Sequence, residues 1–163
     1  MDLREFKIQV LPLKGKLFRL AKRMLGDAED AQDLVQEVFI KLWDQREKLD
    51  EYRNMEVMVM KITRNMCIDV LRKKRYQFGD VEEIAVHEEE KVNQSEIVSR
   101  IQNMIKILPE PQRTIIHLRD VENYEYDKIA EVVGMTENAI RVSLCRTRKA
   151  IKETLGKNQI YGF

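Results

Sequence analysis

The chain has 163 residues, of which 44% are apolar and 35% charged, and its formal net charge is only +1. This length suits two compact helical domains. No apolar run approaches the length that crosses a bilayer. The two cysteines, Cys67 and Cys145, lack the spacing of a zinc site or a disulfide framework. The first seven residues are polar and charged rather than typical of a signal peptide, so we expect a cytoplasmic protein without membrane insertion.

The first 26 residues are interrupted by Pro12. We expect a short first turn and then a helix from about Pro12 to Leu25, which Gly26 would end in a left-handed backbone conformation. The apolar stripe of this helix comprises Leu13, Leu17, Leu20, Ala21, Met24 and Leu25.

Asp27 is expected to cap a second helix, from Ala28 to about Asp44. Its core-facing residues recur at helical spacing and are Ala31, Leu34, Val35, Val38, Phe39 and Leu42. Ile40 falls on the opposite face. Its polar neighbours and flanking aromatic residue are Asp33, Gln36, Glu37, Asp44 and Trp43. One exposed aliphatic side chain is ordinary, but an apolar centre with a polar rim is also typical of a protein-docking patch, and the residues alone favour neither interpretation.

Residues 45–54 are polar and predict a loop before a third helix, from about Met55 to Lys74. We expect its core face to comprise Met55, Val59, Ile62, Met66 and Val70. Its other two faces are expected to carry Asn65, Asp69 and Arg72 on one side, and Val57, Met60, Lys61, Arg64 and Ile68 on the other. The basic cluster Arg72–Arg75 at its end can complement the helix dipole or contact a DNA backbone and unstacked bases.

Residues 77–94 are acidic and lack apolar periodicity, so they predict a mostly extended linker in which His87 is solvated. This acidic stretch separates Arg72–Arg75 from a second basic cluster, Arg141–Lys152. The near-zero net charge therefore does not argue against nucleic acid as a partner.

A second domain is expected from Ser95 onward, beginning with a helix over Glu96–Ile107 that Pro109 ends. Its inner side is expected to carry Ile97, Val98, Ile101, Ile105 and Leu108. The next helix should run from Gln112 to about Val121, with Pro111 at its start. We expect it to pack Ile115, Ile116 and Leu118, with His117 either exposed or a satisfied polar residue of the core.

The stretch Ile129–Lys149 predicts a helix, a tight turn and a second helix. Gly134 can end the first helix, and Thr136 is a good N-cap for the second. One face of the second helix carries Ile140, Leu144, Thr147, Ile151 and Leu155. This pattern is typical of a helix-turn-helix, whose second helix enters the major groove of DNA. We expect the tail after Leu155 to fray.

The outer face of this second helix is selectively basic. It carries Asn138, Val142, Cys145 and Lys149, flanked by Arg141, Arg146 and Lys152. An ordinary helical hairpin with solvated charges is the alternative, but Asn and Arg side chains near the helix N-terminus are placed where base edges are reached. The pattern therefore favours DNA binding.

No catalytic constellation is present: the chain lacks a Gly-rich phosphate loop, a His/Cys nucleophile pair and paired metal ligands. We expect no enzymatic activity, no cofactor and no metal. The expected fold is all-α, with two small helical domains (residues 1–76 and 95–163) joined by the acidic linker (residues 77–94).

Three stretches occur in a distinctive order: DAEDAQDLVQEVFIKLW (Asp27–Trp43), ITRNMCIDVLRKKR (Ile62–Arg75) and LPEPQRTIIHLRDVENYEYDKIAEVVGMTENAIRVSLCRTRKAI (Leu108–Ile151). Together they resemble the bacterial RNA polymerase sigma factors, and most closely the small extracytoplasmic-function (ECF) group. The resemblance implies core RNA polymerase (β′ clamp helices and β subunit) and promoter DNA as partners, and it adds an anti-sigma factor to the partners to be considered.

The resemblance also implies residue roles. Docking on the β′ clamp helices would fall to Asp33, Gln36, Glu37, Ile40 and Trp43. Melting of the minus-10 element and holding of an extruded base would fall to Met60, Lys61, Arg64, Asn65, Asp69 and Arg72. Reading of minus-35 bases would fall to Asn138, Arg141, Val142 and Cys145, with Thr136, Arg146, Arg148 and Lys149 nearer the phosphates. The acidic linker is similar to the segment that threads toward the polymerase active site and RNA exit path.

One departure concerns Met58 and Val59, which stand where the family commonly has Trp-Leu. Methionine can fill that space, but an aromatic contact there would be lost. Two other functions are also compatible with the residues: a two-domain DNA-binding regulator that needs no polymerase, and a helical adaptor whose helix-turn-helix is vestigial.

Overall fold

A computed structural model of the chain describes residues 1–78 and 96–162. The chain divides into two compact units, Met1–His87 and Glu88–Phe163. All regular elements within the described ranges are helical, as the sequence predicts. The expected extended linker, with the solvated His87, lies largely outside the described residues.

Within its described residues 1–78, the first unit contains five helices and one 3₁₀ turn: α1 (Leu3–Gln9), the turn Leu11–Leu13, α2 (Lys14–Leu25), α3 (Ala28–Asp44), α4 (Arg46–Leu49) and α5 (Met55–Phe78). Helices α2, α3 and α5 pack against one another. The core between them contains Leu17, Leu20, Met24, Val38, Leu42 and Met60.

The start of the first unit is more ordered than the expected single turn. Asp2 accepts a hydrogen bond from the Glu5 backbone N–H (2.8 Å), and the Glu5 carboxylate accepts one from the Asp2 N–H (2.9 Å). This reciprocal pair satisfies two otherwise unpaired donors at the N-terminus of α1. Similarly, the expected loop after α3 contains α4, because Leu49 is buried and anchors that short helix to the core.

The junction between α2 and α3 has the predicted chemistry. Gly26 ends α2 at φ 74°, where a side chain would be strained. The Asp27 carboxylate accepts a hydrogen bond from the Asp30 backbone N–H at 2.9 Å. With both signals present, α3 has the bounds that its periodicity predicts.

Helix α5 presents a different face to the core from the one expected. Four of its side chains, Val59, Met60, Thr63 and Cys67, are fully buried, whereas Met55, Ile62, Met66 and Val70 are only half-buried. Thr63 is acceptable in the core because its hydroxyl donates to the Val59 carbonyl at 2.8 Å. The expectation that Met60 lies on an exposed, DNA-facing surface is therefore wrong.

The second unit consists of α6 (Glu96–Lys106), α7 (Gln112–Ile116), a π-helical turn (His117–Val121), α8 (Tyr126–Val133) and α9 (Glu137–Gly162). Its core contains Ile115, Leu118, Ile129, Val132, Ile140 and Leu144. Helix α9 packs against both α7 and α8. It continues to Gly162, so the tail after Leu155 belongs to this helix, and its fraying stays a prediction.

The single helix expected over residues 112–121 changes character halfway. The Glu122 N–H donates to the His117 carbonyl, five residues earlier, at 3.2 Å, which is the spacing of a π-helical turn. His117 is buried in the core and not exposed: it is 2% exposed, and its Nε2 lies 3.5 Å from Glu122 Oε1.

Helix α6 buries less than expected. Ile105 is buried as predicted, but Ile97 and Val98 are 45% and 40% exposed. The prediction that these two side chains lie on the inner side of α6 is therefore wrong for the part of the chain that the structure describes. None of the helices in the two described ranges combines the length and apolar character needed to cross a membrane.

Candidate functional site

The first candidate site is the outer face of α3, called here the α3 surface and defined by Asp33, Gln36, Glu37, Ile40 and Trp43. Ile40 is 62% exposed, and the three polar side chains are exposed around it. The opposite face of α3 is fixed in the core by Leu34, Val38 and Leu42. The outward orientation of Ile40 predicted from helical spacing is confirmed.

Trp43, at the edge of the α3 surface, is held by contacts from two other segments. Its ring meets that of Phe6 on α1 edge to face, with centroids 5.2 Å apart and an interplanar angle of 83°. The Arg46 guanidinium lies 4.5 Å from the Trp43 ring centroid, and Arg46 Nη1 donates to the Trp43 carbonyl at 3.0 Å. The half-buried indole is thus fixed before any partner binds.

The α3 surface is acidic, with an apolar centre. Asp33, Glu37 and Asp44 supply exposed carboxylates, while Asp30 nearby is paired with Lys74 of α5 at 2.6 Å. An exposed aliphatic residue ringed by carboxylates suits a partner that offers an apolar contact surrounded by basic groups.

The second candidate site is the outer face of α5, called here the α5 surface. Lys61, Asn65, Asp69 and Arg72 are exposed, and Arg64 is half-buried. Asp69 and Arg72 form an exposed ion pair at 4.0 Å. Met60, predicted to belong with them, is fully buried because it shares the core-facing side of α5 with Thr63 and Cys67. The predicted set is therefore brought together except for Met60.

The third candidate site is the outer face of the helix-turn-helix, called here the α9 surface. Gly134 ends α8 at φ 72°, and the Thr136 hydroxyl accepts a hydrogen bond from the Ala139 N–H at 3.2 Å. Both roles were predicted. Burial of Ile140 and Leu144 directs the opposite side of α9 outward. The predicted DNA-facing residues are all exposed: Thr136, Asn138, Arg141, Val142, Cys145, Arg146, Arg148 and Lys149.

Arg148 differs from the other cations of the α9 surface because an internal carboxylate binds it. Its Nη2 donates to Asp120 Oδ1, and its Nε lies 3.4 Å from Asp120 Oδ2. The hydrogen bond to Asp120, with a smaller contribution from Tyr126, raises the pKa of Arg148 above its ordinary value. Arg148 is therefore less available to phosphate than the sequence suggested.

Arg141 contacts an aromatic ring that sequence reasoning missed. Its guanidinium carbon lies 4.8 Å from the centroid of Tyr126, and that of Arg119 lies 4.5 Å from the same centroid. Tyr126 and Arg119 lie 15 and 22 positions before Arg141. No helical spacing connects residues so far apart, and the π-helical turn that places Arg119 carries no recognisable sequence signal.

The two cysteines occupy opposite environments, since Cys67 is buried and Cys145 is exposed on the α9 surface. Burial raises the pKa of the Cys67 thiol to about 12. Among the described residues, no group of three or more His, Cys, Asp or Glu side chains is placed to hold a metal ion.

Two family models match the chain. The model "Sigma-70 region 2" matches residues 10–76, which include the α3 and α5 surfaces. The model "Sigma-70, region 4" matches residues 99–151, which include the helix-turn-helix.

Sequence similarity to known proteins extends beyond the two regions that the family models match. The ECF RNA polymerase sigma factor SigW of Bacillus subtilis is 27% identical over 157 residues, which cover 87% of this chain and 84% of that protein. The RNA polymerase sigma-H factor of Pseudomonas aeruginosa is 30% identical over an alignment of 172 positions. The match covers 94% of this chain and 88% of that protein.

Two solved structures have the same fold. The sigma factor RpoE from Bartonella quintana, solved in complex with the anti-sigma factor NepR, superposes with a TM-score of 0.78 at 21% identity and covers 94% of this chain and 98% of that chain. CnrH, solved in complex with the cytosolic domain of CnrY, superposes with a TM-score of 0.68 at 20% sequence identity. The match covers 96% of this chain and 91% of that chain. With both sigma-70 regions in order and sequence similarity across most of its length, the chain belongs to the ECF group of RNA polymerase sigma factors, which direct core polymerase to promoters and initiate transcription.

Proposed function

We propose that the three surfaces described above have separate functions in transcription initiation by this sigma factor. Residues 1–76 would bind core polymerase and open the minus-10 element, residues 77–94 would link the domains, and residues 95–163 would read the minus-35 element. The chain would carry no catalytic chemistry of its own and act in the bacterial cytoplasm, where the polymerase works.

The α3 surface is the proposed docking site for the β′ clamp helices. The observation that carries this proposal is Ile40, which is 62% exposed in the middle of a carboxylate and amide rim although its helix has a complete core face. A large aliphatic side chain held in that position gains free energy only when a partner covers it. Trp43, already fixed by Phe6 and Arg46, would extend the contact at little entropic cost.

The α5 surface is the proposed site for the melted minus-10 strand. Lys61, Arg64 and Arg72 can approach phosphates, while the exposed amide of Asn65 and carboxylate of Asp69 can hydrogen-bond the edge of an extruded base. Extrusion costs a few kcal/mol of stacking, which these contacts must recover. Met60 would support this surface from within the core rather than touch DNA.

The α9 surface is the proposed reader of the minus-35 element. Asn138, Arg141, Val142 and Cys145 would face base edges in the major groove, since they lie in the first turns of α9 opposite its buried side. Thr136, Arg146 and Lys149 would lie nearer the phosphates. Arg148 would contribute less there than an unengaged arginine, because it is bound to Asp120.

An anti-sigma factor is a further proposed partner. The similar sigma factor RpoE was solved in complex with the anti-sigma factor NepR, and the similar protein CnrH in complex with the cytosolic domain of CnrY. A protein that covered the α3 or α9 surface would compete directly with polymerase or promoter DNA.

Run-off transcription with purified core polymerase and a genomic promoter library tests the proposal. We expect promoter-specific transcripts from core polymerase plus this protein, and none from core polymerase alone. The Ile40→Asp variant should fail to produce them while remaining folded. Absence of specific transcripts with the wild-type protein, or undiminished transcription with Ile40→Asp, would contradict the proposed use of the α3 surface.

A further inference from the structure

Tyr126 is the first residue of α8, and its ring contacts two arginines from different segments. The Arg141 guanidinium carbon, from α9, lies 4.8 Å from the ring centroid, and that of Arg119, from the π-helical turn, lies 4.5 Å from it. Both distances are within the range of an attractive cation–π interaction, which is about 6 Å from the ring centroid.

The ring is held by its own surroundings. Tyr126 is half-buried, and Ile129, one turn later on α8, is fully buried in the core. Arg119 is tied down independently, since its Nη1 donates to the Tyr124 carbonyl at 2.8 Å and lies 3.8 Å from Glu125 Oε2. The Tyr126 ring is therefore partly buried on an anchored helix, beside an arginine that has polar contacts of its own.

Arg141 has no comparable restraint apart from this ring. It is exposed, and within the described ranges its one recorded interaction is the contact with the Tyr126 ring. The contact pairs Arg141 with a ring rather than with a carboxylate or carbonyl oxygen, so its guanidinium N–H donors remain available to acceptors on a partner. An exposed arginine otherwise loses much rotamer freedom when it binds, so a ring that already restricts the side chain lowers that cost.

We propose that Tyr126 is a positioning residue that holds the Arg141 guanidinium in the orientation in which it reads a base edge of the minus-35 element. The inference rests on the proposed function of the α9 surface. It assigns Tyr126 an effect on which sequence is preferred, exerted through Arg141, rather than a role limited to the stability of α8.

The test uses the full chain with core polymerase and promoters that differ singly within the minus-35 element. Arg141→Ala first identifies the base pair whose discrimination depends on Arg141. Tyr126→Leu should then lower discrimination at that base pair about 2- to 5-fold, the range expected for loss of an exposed cation–π contact, whereas Tyr126→Phe should retain most of it. In the Arg141→Ala background, Tyr126→Leu should have no further effect. Asp127→Ala, at the neighbouring exposed position of α8, is the matched control.

A second series guards against misfolding of Tyr126→Leu. Phenylalanine carrying one, two and three ring fluorines at position 126 keeps the shape of the ring but progressively weakens its attraction for a cation. Discrimination at the Arg141-dependent base pair should fall with each fluorine.

Three results would overturn the positioning role while leaving the proposed function standing. They are equal loss of affinity at every base pair in Tyr126→Leu, an undiminished effect of Tyr126→Leu in the Arg141→Ala background, and discrimination that does not change with the number of ring fluorines. If Arg141→Ala itself left base preference unchanged, the proposed function of this surface and the inference would both fail.

Discussion

The guanidinium of Arg148 on α9 hydrogen-bonds the carboxylate of Asp120, which lies 28 positions earlier in the π-helical turn. A cation on the proposed DNA-reading surface is thus partly neutralised from within the same unit. The pair is exposed, and exposed ion pairs contribute only about 0–1 kcal/mol to stability. Its main consequence is therefore electrostatic: it lowers the positive potential that the α9 surface presents to DNA.

Replacing Asp120 by asparagine should strengthen DNA binding for all sequences alike. The released Arg148 charge can neutralise a phosphate, so the slope of log affinity against log salt should steepen by up to about 1. Salt titrations of holoenzyme on two unrelated promoters measure this slope. Asp127→Asn, which removes a carboxylate from a different exposed position, is the control. A gain no larger than the control's would show that Arg148 is not the group released.

Replacing Ile40 by aspartate should weaken core polymerase binding by about 2 kcal/mol or more, as expected for the centre of an interface. The free energy of unfolding should change by no more than about 0.5 kcal/mol, because the side chain is exposed. Fluorescence titration with core polymerase measures the first effect, and urea unfolding measures the second.

The control for Ile40→Asp is Ile8→Asp on α1. Ile8 is the same residue type in the same unit and is 65% exposed. Equal loss of polymerase affinity in the two variants would mean that general surface hydrophobicity, and not the α3 surface, governs binding.

Arg141→Ala and Lys149→Ala should have different effects on promoter binding. Loss of Arg141 should change sequence preference, at a cost of about 1–3 kcal/mol if it reads a guanine. Loss of Lys149 should weaken all sequences alike and flatten the salt dependence. Affinity measured on a minus-35 library at two salt concentrations distinguishes them. Identical shifts on every sequence would remove the distinction between base and phosphate contacts.

Met60→Ala should act on stability, since Met60 is a fully buried residue of the first unit. Truncation of a buried methionine typically costs about 2–5 kcal/mol, whereas Lys61→Ala, at the adjacent exposed position, should cost less than about 0.5 kcal/mol. Urea denaturation measures both. A stable Met60→Ala variant that failed only in promoter melting would restore Met60 to the set of DNA contacts.

The two cysteines should differ in thiol labelling. The pKa of Cys67 is raised to about 12 by burial, so at pH 8 its reactive thiolate is almost absent and labelling requires unfolding. Cys145 is exposed and should react in the native protein. Promoter DNA bound with polymerase should protect it, and Cys145→Ser should abolish native labelling. Unprotected labelling in the promoter complex would place Cys145 outside the DNA interface.

The elements predicted best are those in which several local signals agree. Helix α3 has a regular apolar period, an aspartate cap and a preceding glycine, and its bounds were predicted to the residue. Helix α5 carries four consecutive apolar residues near its start, Val57–Met60, all buried. Such a run does not select one face. Thr63 lies in the core because its hydroxyl donates to the Val59 carbonyl one turn earlier, and a count of apolar residues does not reveal that hydrogen bond. The core face was therefore assigned wrongly.

The candidate sites likewise contain features that local sequence patterns predict and contacts that they do not predict. The exposure of Ile40 and of the α9 surface follows from helical spacing, because each lies opposite a continuous apolar stripe. The contacts that distinguish one arginine from another do not follow from it. Asp120 near Arg148 and Tyr126 near Arg141 depend on how the π-helical turn and α8 meet α9, which no local pattern encodes. Family membership decides against the polymerase-independent regulator and the adaptor.

The π-helical turn His117–Val121 makes the second unit sensitive to the number of residues in this segment rather than to their identity alone. Removing one residue from the turn would restore α-helical spacing and redirect the side chains that follow within this segment by about 100° about its axis, relative to α8 and α9 in their present positions. Arg119 would then swing away from Tyr126, and Asp120 from Arg148, while Ile115 upstream kept its place in the core. A one-residue deletion here would thus break both contacts at once, whereas a point substitution such as Asp120→Asn breaks only one of them.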